Sequence, residues 1–114
     1  MTGLLERTAD FACVLCALEG HVATITLNRP ERRNALNYRA YDELEAAFRA
    51  ASADEDVRAV IVTGADPAFC SGDDVGEIMA GPKSVTALAR PAEIRPRRAA
   101  MAALESAKPA VAAV

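Results

Sequence analysis

Apolar positions recur along this chain in two rhythms, and each predicts a different element. In "FACVLCAL" (11–18) and "VATITL" (22–27) they form short continuous or alternating runs of strand length, and Glu19, Gly20 and His21 between them supply a hairpin turn. Asn28, Arg29 and Pro30 end the second run, because proline donates nothing to a strand ladder and restricts the residue before it. Tyr41, Leu44, Phe48 and Ala51 then recur at helical spacing, with Asp42, Glu43, Glu45 and Arg49 keeping largely to the opposite face. Asn37 is placed to cap this helix, and Leu36 and Tyr41 are spaced as a hydrophobic staple. The helix stops in "SADED", and the β-branched "VRAVIV" (57–62) predicts a third strand. A helix between "VATITL" and "VRAVIV" is the crossover that parallel neighbouring strands require, so the order predicts an α/β architecture.

Ligands of such sheets gather in the loops beyond the carboxyl ends of the strands. Two loops qualify: "NRPERRNAL" after the second strand and "GADPAFCSGDDVGEI" (64–78) after the third. If the strands are parallel neighbours, both loops lie on one edge and form one site. Gly64 and Gly72 permit a positive φ or a close approach, Ser71 is small, and Val75 to Met79 has the pattern of a first helical turn with free N–H groups. A nest of this kind stabilises negative charge. It lacks both the GxxxxGK[ST] of a P-loop and the GxGxxG of a dinucleotide fold, which argues against a phosphate cradle of either kind. The plainer alternative is a connector, with a turn over Gly64 to Pro67 and Asp74 as a helix cap.

Composition narrows the class. The chain of 114 residues is one domain's worth, and its 52% hydrophobic and 25% charged residues are ordinary globular values. A net charge of -3 argues against nucleic acid as a partner, since the basic run at Arg95, Arg97 and Arg98 is local. No apolar stretch approaches the roughly 20 residues of a membrane span, and the expected location is the cytoplasm. Three cysteines, an odd number, fit a reducing compartment. Cys13 and Cys16 form a CxxC, but only Cys70 and His21 remain as further ligands, so core packing is expected rather than metal or redox work.

Three blocks, "VATITLNRPERRNALN", "DEDVRAVIVTGADPAFCSGDDVGEI" and "KPAVAAV", in this order and at these separations, resemble the enoyl-CoA hydratase/isomerase (crotonase) family. The resemblance covers about residues 20 to 79 and 107 to 114, and residues 80 to 106 match only as a variable helical region. It implies a crotonase-like spiral of ββα units, with residues 1–114 as an N-terminal portion of that domain, assembled as a homo-oligomer, trimer or hexamer. It implies an acyl-CoA substrate, of which coenzyme A is a part, and no separate cofactor or metal. The thioester carbonyl would sit between two backbone N–H groups that stabilise an enolate; donors aimed at developing charge are typically worth roughly 3 kcal/mol each. On the residues that match, the first donor is the N–H of Asp73, with Ser71 and Gly72 lining the channel beside it, Asp74 at the family's usual aspartate and Val75 following. Arg32, Arg33 and Ala35 fall at positions bordering the nucleotide and pantetheine arm, the two arginines offering charge to phosphates.

This chain departs from the family pattern at two places. The donor position usually holds glycine or alanine, whereas Asp73 brings a carboxylate close to a developing negative charge; alternatively, that side chain acts itself as an acid or base. The family's second donor and its catalytic acids lie beyond the segment that "ESAKPAVAAV" matches. Glu77, Glu93 and Glu105 are explained more simply as helical surface or first-turn residues. Two readings follow, a hydratase/isomerase-type enzyme of which this is the N-terminal portion, and a non-catalytic remnant or assembly module; a Rossmann-type nucleotide module ranks last because the glycine spacing fails.

Overall fold

Strand pairing follows the apolar alternation. In the computed structural model, which describes residues 3–80, 91–106 and 108–114, without the side chains of 78–80 and 91–97, β1 (Val14–Glu19) pairs antiparallel with β2 (Val22–Leu27). The register sets Val14 opposite Leu27, Cys16 opposite Ile25 and Leu18 opposite Ala23, so the inward side chains of both strands meet on one face. Across α2 (Tyr38–Ala53) the chain returns as β3 (Ala59–Gly64), parallel to β2, with Val60 beside Ala23 and Val62 beside Ile25. This is the predicted crossover. A short β4 (Ala110–Ala112) extends the sheet beyond β3 in parallel, giving the order β1-β2-β3-β4. The segment "KPAVAAV" thus contributes an exposed edge strand, with Val111 and Val114 facing solvent.

The core lies between one sheet face and the helices. Val14, Ala23, Ile25, Leu27 and Val60 from the sheet pack with Ala40, Ala47, Phe48, Ala50 and Ala51 from α2. The opposite sheet face carries Leu15, which is 51% exposed, beside Thr26 and Thr63. Although its apolar run is nearly continuous, only alternate positions of β1 are covered. A one-turn helix α1 (Leu4–Arg7) precedes the sheet and buries Leu4 completely. No periodicity announces four residues; the burial of one leucine and the bond from Leu4 N–H to Asp54 Oδ2 at 2.8 Å hold them.

Helix α2 begins as expected, with Asn37 Oδ1 accepting from Ala40 N–H at 2.8 Å. Its faces differ from the sequence reading: Tyr41 and Leu44 are half-buried, and Glu43 is 6% exposed. The Glu43 carboxylate turns inward because the chain entering β1 has backbone donors to satisfy: Oε1 accepts from Cys13 and Val14 N–H at 2.7 and 3.1 Å, and Oε2 from Ala12 N–H at 3.0 Å. Arg39 Nε, one turn earlier, adds a charge-assisted bond to Oε2 at 2.8 Å.

Two further helices follow, α3 (Val75–Ala80) and α4 (Pro91–Glu105). Helix α4 packs on α2 through buried Ala99 and Ala102, with Arg98 paired to Asp42 and Glu45. Lys108 then donates to the Ala51 carbonyl at 2.7 Å and to that of Asp54, which places an ammonium at the negative end of α2. Among the described residues no helix is long and apolar enough to cross a membrane.

Candidate functional site

The two loops leaving β2 and β3 meet on one edge of the sheet, as parallel pairing requires. After Leu27 the chain makes a 3-10 turn over Pro30–Arg32, then places Arg33 and Asn34 at φ 52° and 58°. Asparagine tolerates that left-handed conformation better than most residues because its short side chain bonds locally. Here it does more: Asn34, 1% exposed, accepts from Arg29 N–H at 2.8 Å and donates from Nδ2 to the carbonyls of Ala65 and Ala68 at 2.8 and 2.6 Å. One side chain therefore closes its own loop and fastens it to the next.

The second loop folds back over the end of β3. A Cβ at Gly64 would collide with the Phe69 carbonyl and lie 2.6 Å from that of Ala68, so the close approach demands glycine. Gly72 serves differently; its φ of 104° turns the chain in open space. From that turn the loop runs alongside the first one: Ser71 N–H donates to the Arg33 carbonyl at 3.1 Å, Leu36 N–H to that of Gly72 at 2.8 Å, and Asp74 N–H to that of Leu36 at 2.9 Å. This is a parallel bridge between Leu36 and Asp73. In such a bridge the groups facing Leu36 belong to Gly72 and Asp74, and the N–H of Asp73 itself points to the other side. Among the described residues that N–H has no acceptor.

Asp74 is both a helix cap and a charge partner, so the cap in the plainer sequence reading is present. Its Oδ1 accepts from Glu77 N–H at 3.1 Å in the first turn of α3, and its Oδ2 lies 3.1 Å from Arg29 Nη2. The backbone bond from Glu77, then the Arg29 and Arg32 guanidinium groups, hold its carboxyl below the usual aspartate value. Arg29 is buried, and besides Asp74 it reaches Glu77 Oε2 at 2.9 Å and the Ala35 carbonyl at 2.5 Å. Asn37 Nδ2 completes the cluster at 2.6 Å from Glu77 Oε2. Arg29 and Asn34 were not among the expected site residues; for Asn34 the available signal was an asparagine in a turn-rich loop, a residue type that accepts the left-handed conformation and bonds locally.

The expected residues divide by position. Arg32, Arg33, Ala35, Asp73, Asp74 and Val75 line one open groove of about 390 Å³, joined by Glu31. Ser71 and Gly72 lie on the loop just before it and outside its lining. Arg32 is 53% exposed and loosely held, 3.7 Å from Asp74 and 3.8 Å from Glu77, while exposed Arg33 makes no ion pair among the described residues. The Asp73 carboxylate accepts from the Tyr41 hydroxyl on α2. Burial first, then that bond and the carboxylate's charge, push the Tyr41 phenol well above its ordinary value, which keeps it a donor.

Of the glutamates considered above, Glu77 belongs to the Arg29 cluster and Glu105 pairs with Arg49 at 3.6 Å, while the side chain of Glu93 lies outside the described residues. Cys13 is buried and Cys16 half-buried against the core, both as free thiols that burial pushes up in pKa. Among the described residues no group of histidine, cysteine and carboxylate side chains is arranged to hold a metal.

A profile of the enoyl-CoA hydratase/isomerase family matches residues 17–114. A probable enoyl-CoA hydratase of Mycobacterium tuberculosis is 47% identical over 73 residues, 64% of this chain and 28% of the relative. The mitochondrial Delta(3,5)-Delta(2,4)-dienoyl-CoA isomerase of Mus musculus is 49% identical over 55 residues, 48% of this chain and 17% of its own length. The chain thus spans less than a third of either relative. Among solved structures, an enoyl-CoA hydratase/isomerase from Xanthobacter autotrophicus Py2 superposes with a TM-score of 0.81 at 43% identity, over 91% of this chain and 39% of that one. An enoyl-CoA hydratase from Mycobacterium smegmatis superposes at 0.78 with 32% identity, over 89% of this chain and 39% of that one. With its sheet, its loops and nearly all of its sequence matched, the chain belongs to the enoyl-CoA hydratase/isomerase family.

Proposed function

We propose that this chain forms the acyl-CoA-binding portion of a hydratase or isomerase, in which the thioester carbonyl accepts a hydrogen bond from the Asp73 N–H. The observation that carries this reading is the backbone bridge of Leu36 and Asp73, which engages the neighbours of the Asp73 N–H and leaves that donor unused beside the groove. As the reaction moves charge onto the thioester oxygen, a fixed donor at that point lowers the barrier without having to reorganise. Held by the bridge and by Asn34, the loop loses little freedom when the substrate arrives.

Arg32 and Arg33, at the same groove, are the proposed partners of the coenzyme A phosphates, which arrive as part of the substrate. Ala35, Ser71, Gly72, Asp74 and Val75 complete the proposed contact surface, the small residues admitting the pantetheine arm. The tie between Tyr41 and the Asp73 carboxylate supports a backbone role for Asp73 over a side-chain acid or base. Glu77 and Glu105 are given structural roles, in keeping with their ion pairs. The homo-oligomer, a trimer or hexamer, remains part of the proposal.

Isothermal titration with crotonyl-CoA, coenzyme A and free crotonate tests the reading. Crotonyl-CoA is expected to bind more tightly than coenzyme A, and crotonate far more weakly than either. Equal binding of crotonate and crotonyl-CoA would contradict it.

A further inference from the structure

An aspartate at an oxyanion donor brings its own competitor. Its carboxylate, a strong acceptor, can bond to its own or a neighbouring backbone N–H and so occupy the group the substrate needs. It also sets negative charge beside an oxygen that is gaining negative charge. Two consecutive carboxylates flank this site, and the fold engages both. Asp74 is held by Glu77 N–H and the guanidinium of Arg29. Asp73 accepts from the hydroxyl of Tyr41, in the first turn of α2. Tyr41 is outside the lining of the groove, so this bond draws the Asp73 carboxylate toward α2. Two observations converge on one arrangement: the bridge at Leu36 leaves the Asp73 N–H unused, and Tyr41 engages the carboxylate of that same residue.

We propose that Tyr41 is a positioning residue of the acyl-thioester site, its hydroxyl holding the Asp73 carboxylate on the α2 side so that the Asp73 N–H stays open to the substrate carbonyl. The assignment rests on the acyl-CoA reading above. It gives a reason for aspartate to function where glycine or alanine would serve without a partner: the carboxylate is admitted together with a donor that restrains it. Tyr41 touches neither the substrate nor the reacting atoms, and its effect passes wholly through Asp73. The elevated pKa of the phenol agrees with this, since Tyr41 stays protonated and donating across the neutral range.

A double-mutant cycle separates this role from simple packing. Tyr41→Phe keeps the ring and removes only the hydroxyl; Asp73→Ala keeps the N–H and removes the carboxylate. Titration of the parent, both single variants and the double variant with crotonyl-CoA, and separately with coenzyme A, isolates the part of affinity due to the acyl group. Tyr41→Phe is expected to weaken crotonyl-CoA about tenfold, the scale of one charge-assisted hydrogen bond, while leaving coenzyme A unchanged. In the Asp73→Ala background the same change is expected to have no effect. The carbonyl stretch of crotonyl-CoA labelled at the thioester carbon supplies a second readout: bound to Tyr41→Phe, it is expected to move back toward its frequency in water, and bound to the double variant to match Asp73→Ala. A Tyr41→Phe loss that is equal for crotonyl-CoA and coenzyme A, or that persists without the Asp73 carboxylate, would overturn the assignment of Tyr41 alone. A parent chain that binds coenzyme A and crotonyl-CoA identically would overturn the acyl-thioester reading and the Tyr41 role with it.

Discussion

The Asn34 side chain stands 2.6 Å from the Ala68 carbonyl and fastens the loop after β2 to the loop after β3. It holds together the two segments that form the groove, from a position buried to 1% exposure and in a left-handed conformation that few residues accept. Asn34→Ala removes three hydrogen bonds and puts a less tolerant residue at φ 58°. A loss of about 3 kcal/mol in denaturant unfolding is expected. Asn34→Asp keeps the acceptor for Arg29 N–H but has no donor for Ala65 and Ala68, and is expected to lose nearly as much. A loss below about 1 kcal/mol for both would show that the loops hold each other by other means.

Glu43 makes a comparable link from the second turn of α2, accepting from three consecutive backbone N–H groups that lead into β1. Glu43→Ala strands the buried N–H groups of Cys13 and Val14 and is expected to cost about 2 to 4 kcal/mol. Glu43→Gln, which offers one oxygen in place of two, is expected to fall between Ala and the parent. Hydrogen exchange at Cys13 and Val14 should accelerate in the same order, and unchanged protection there in Glu43→Ala would contradict the role.

The sequence carried the strand order, the parallel crossover, the Asn37 cap and the meeting of the two loops, because each depends on local periodicity or on topology. It misassigned Glu43, since helical periodicity sorts residues by polarity and a buried carboxylate serving distant backbone donors looks like any surface glutamate. The fate of Arg29 was illegible for a related reason: its three partners, Ala35, Asp74 and Glu77, lie up to 48 positions away, and no spacing rule connects them. Six of the expected site residues line the groove because their loops were read correctly, while the tie between Tyr41 and Asp73 needed the packing of α2 against the second loop.

Acid stability should report the capping carboxylates. Asp54 is held below its ordinary value of 3.8 chiefly by the bond from Leu4 N–H, then by that from Asp56, and Asp74 chiefly by the bond from Glu77. Both have a folded pKa below the unfolded one, so the stability they contribute is fully present above the unfolded value and is lost as pH falls through the folded one. The melting temperature is expected to fall as pH drops below 3.8, and Asp54→Asn and Asp74→Asn should each flatten that fall. A variant with the parent's full acid sensitivity would remove its aspartate from the account.

Arg32 and Arg33 are expected to give crotonyl-CoA binding its salt dependence. Replacing both with alanine should weaken binding about tenfold to a hundredfold at low salt and reduce the slope of affinity against salt, because interactions with exposed charges are screened within about 10 Å at 0.1 M. Binding of crotonate, which has no phosphates, should not change. A double variant that keeps the parent's affinity and salt slope would remove these arginines from the phosphate contacts.

The claim on which the account turns is that the backbone N–H of Asp73, left free by its bridge to Leu36, meets the thioester carbonyl. Amide resonances of the nitrogen-15-labelled chain, followed during titration with crotonyl-CoA and then with coenzyme A, measure that contact residue by residue. The Asp73 amide proton is expected to move downfield with crotonyl-CoA, as a proton entering a hydrogen bond does, and to stay nearly still with coenzyme A, while Arg32 and Arg33 respond to both. An Asp73 amide that stays still while crotonyl-CoA shifts its neighbours, or that moves equally with both ligands, would contradict it.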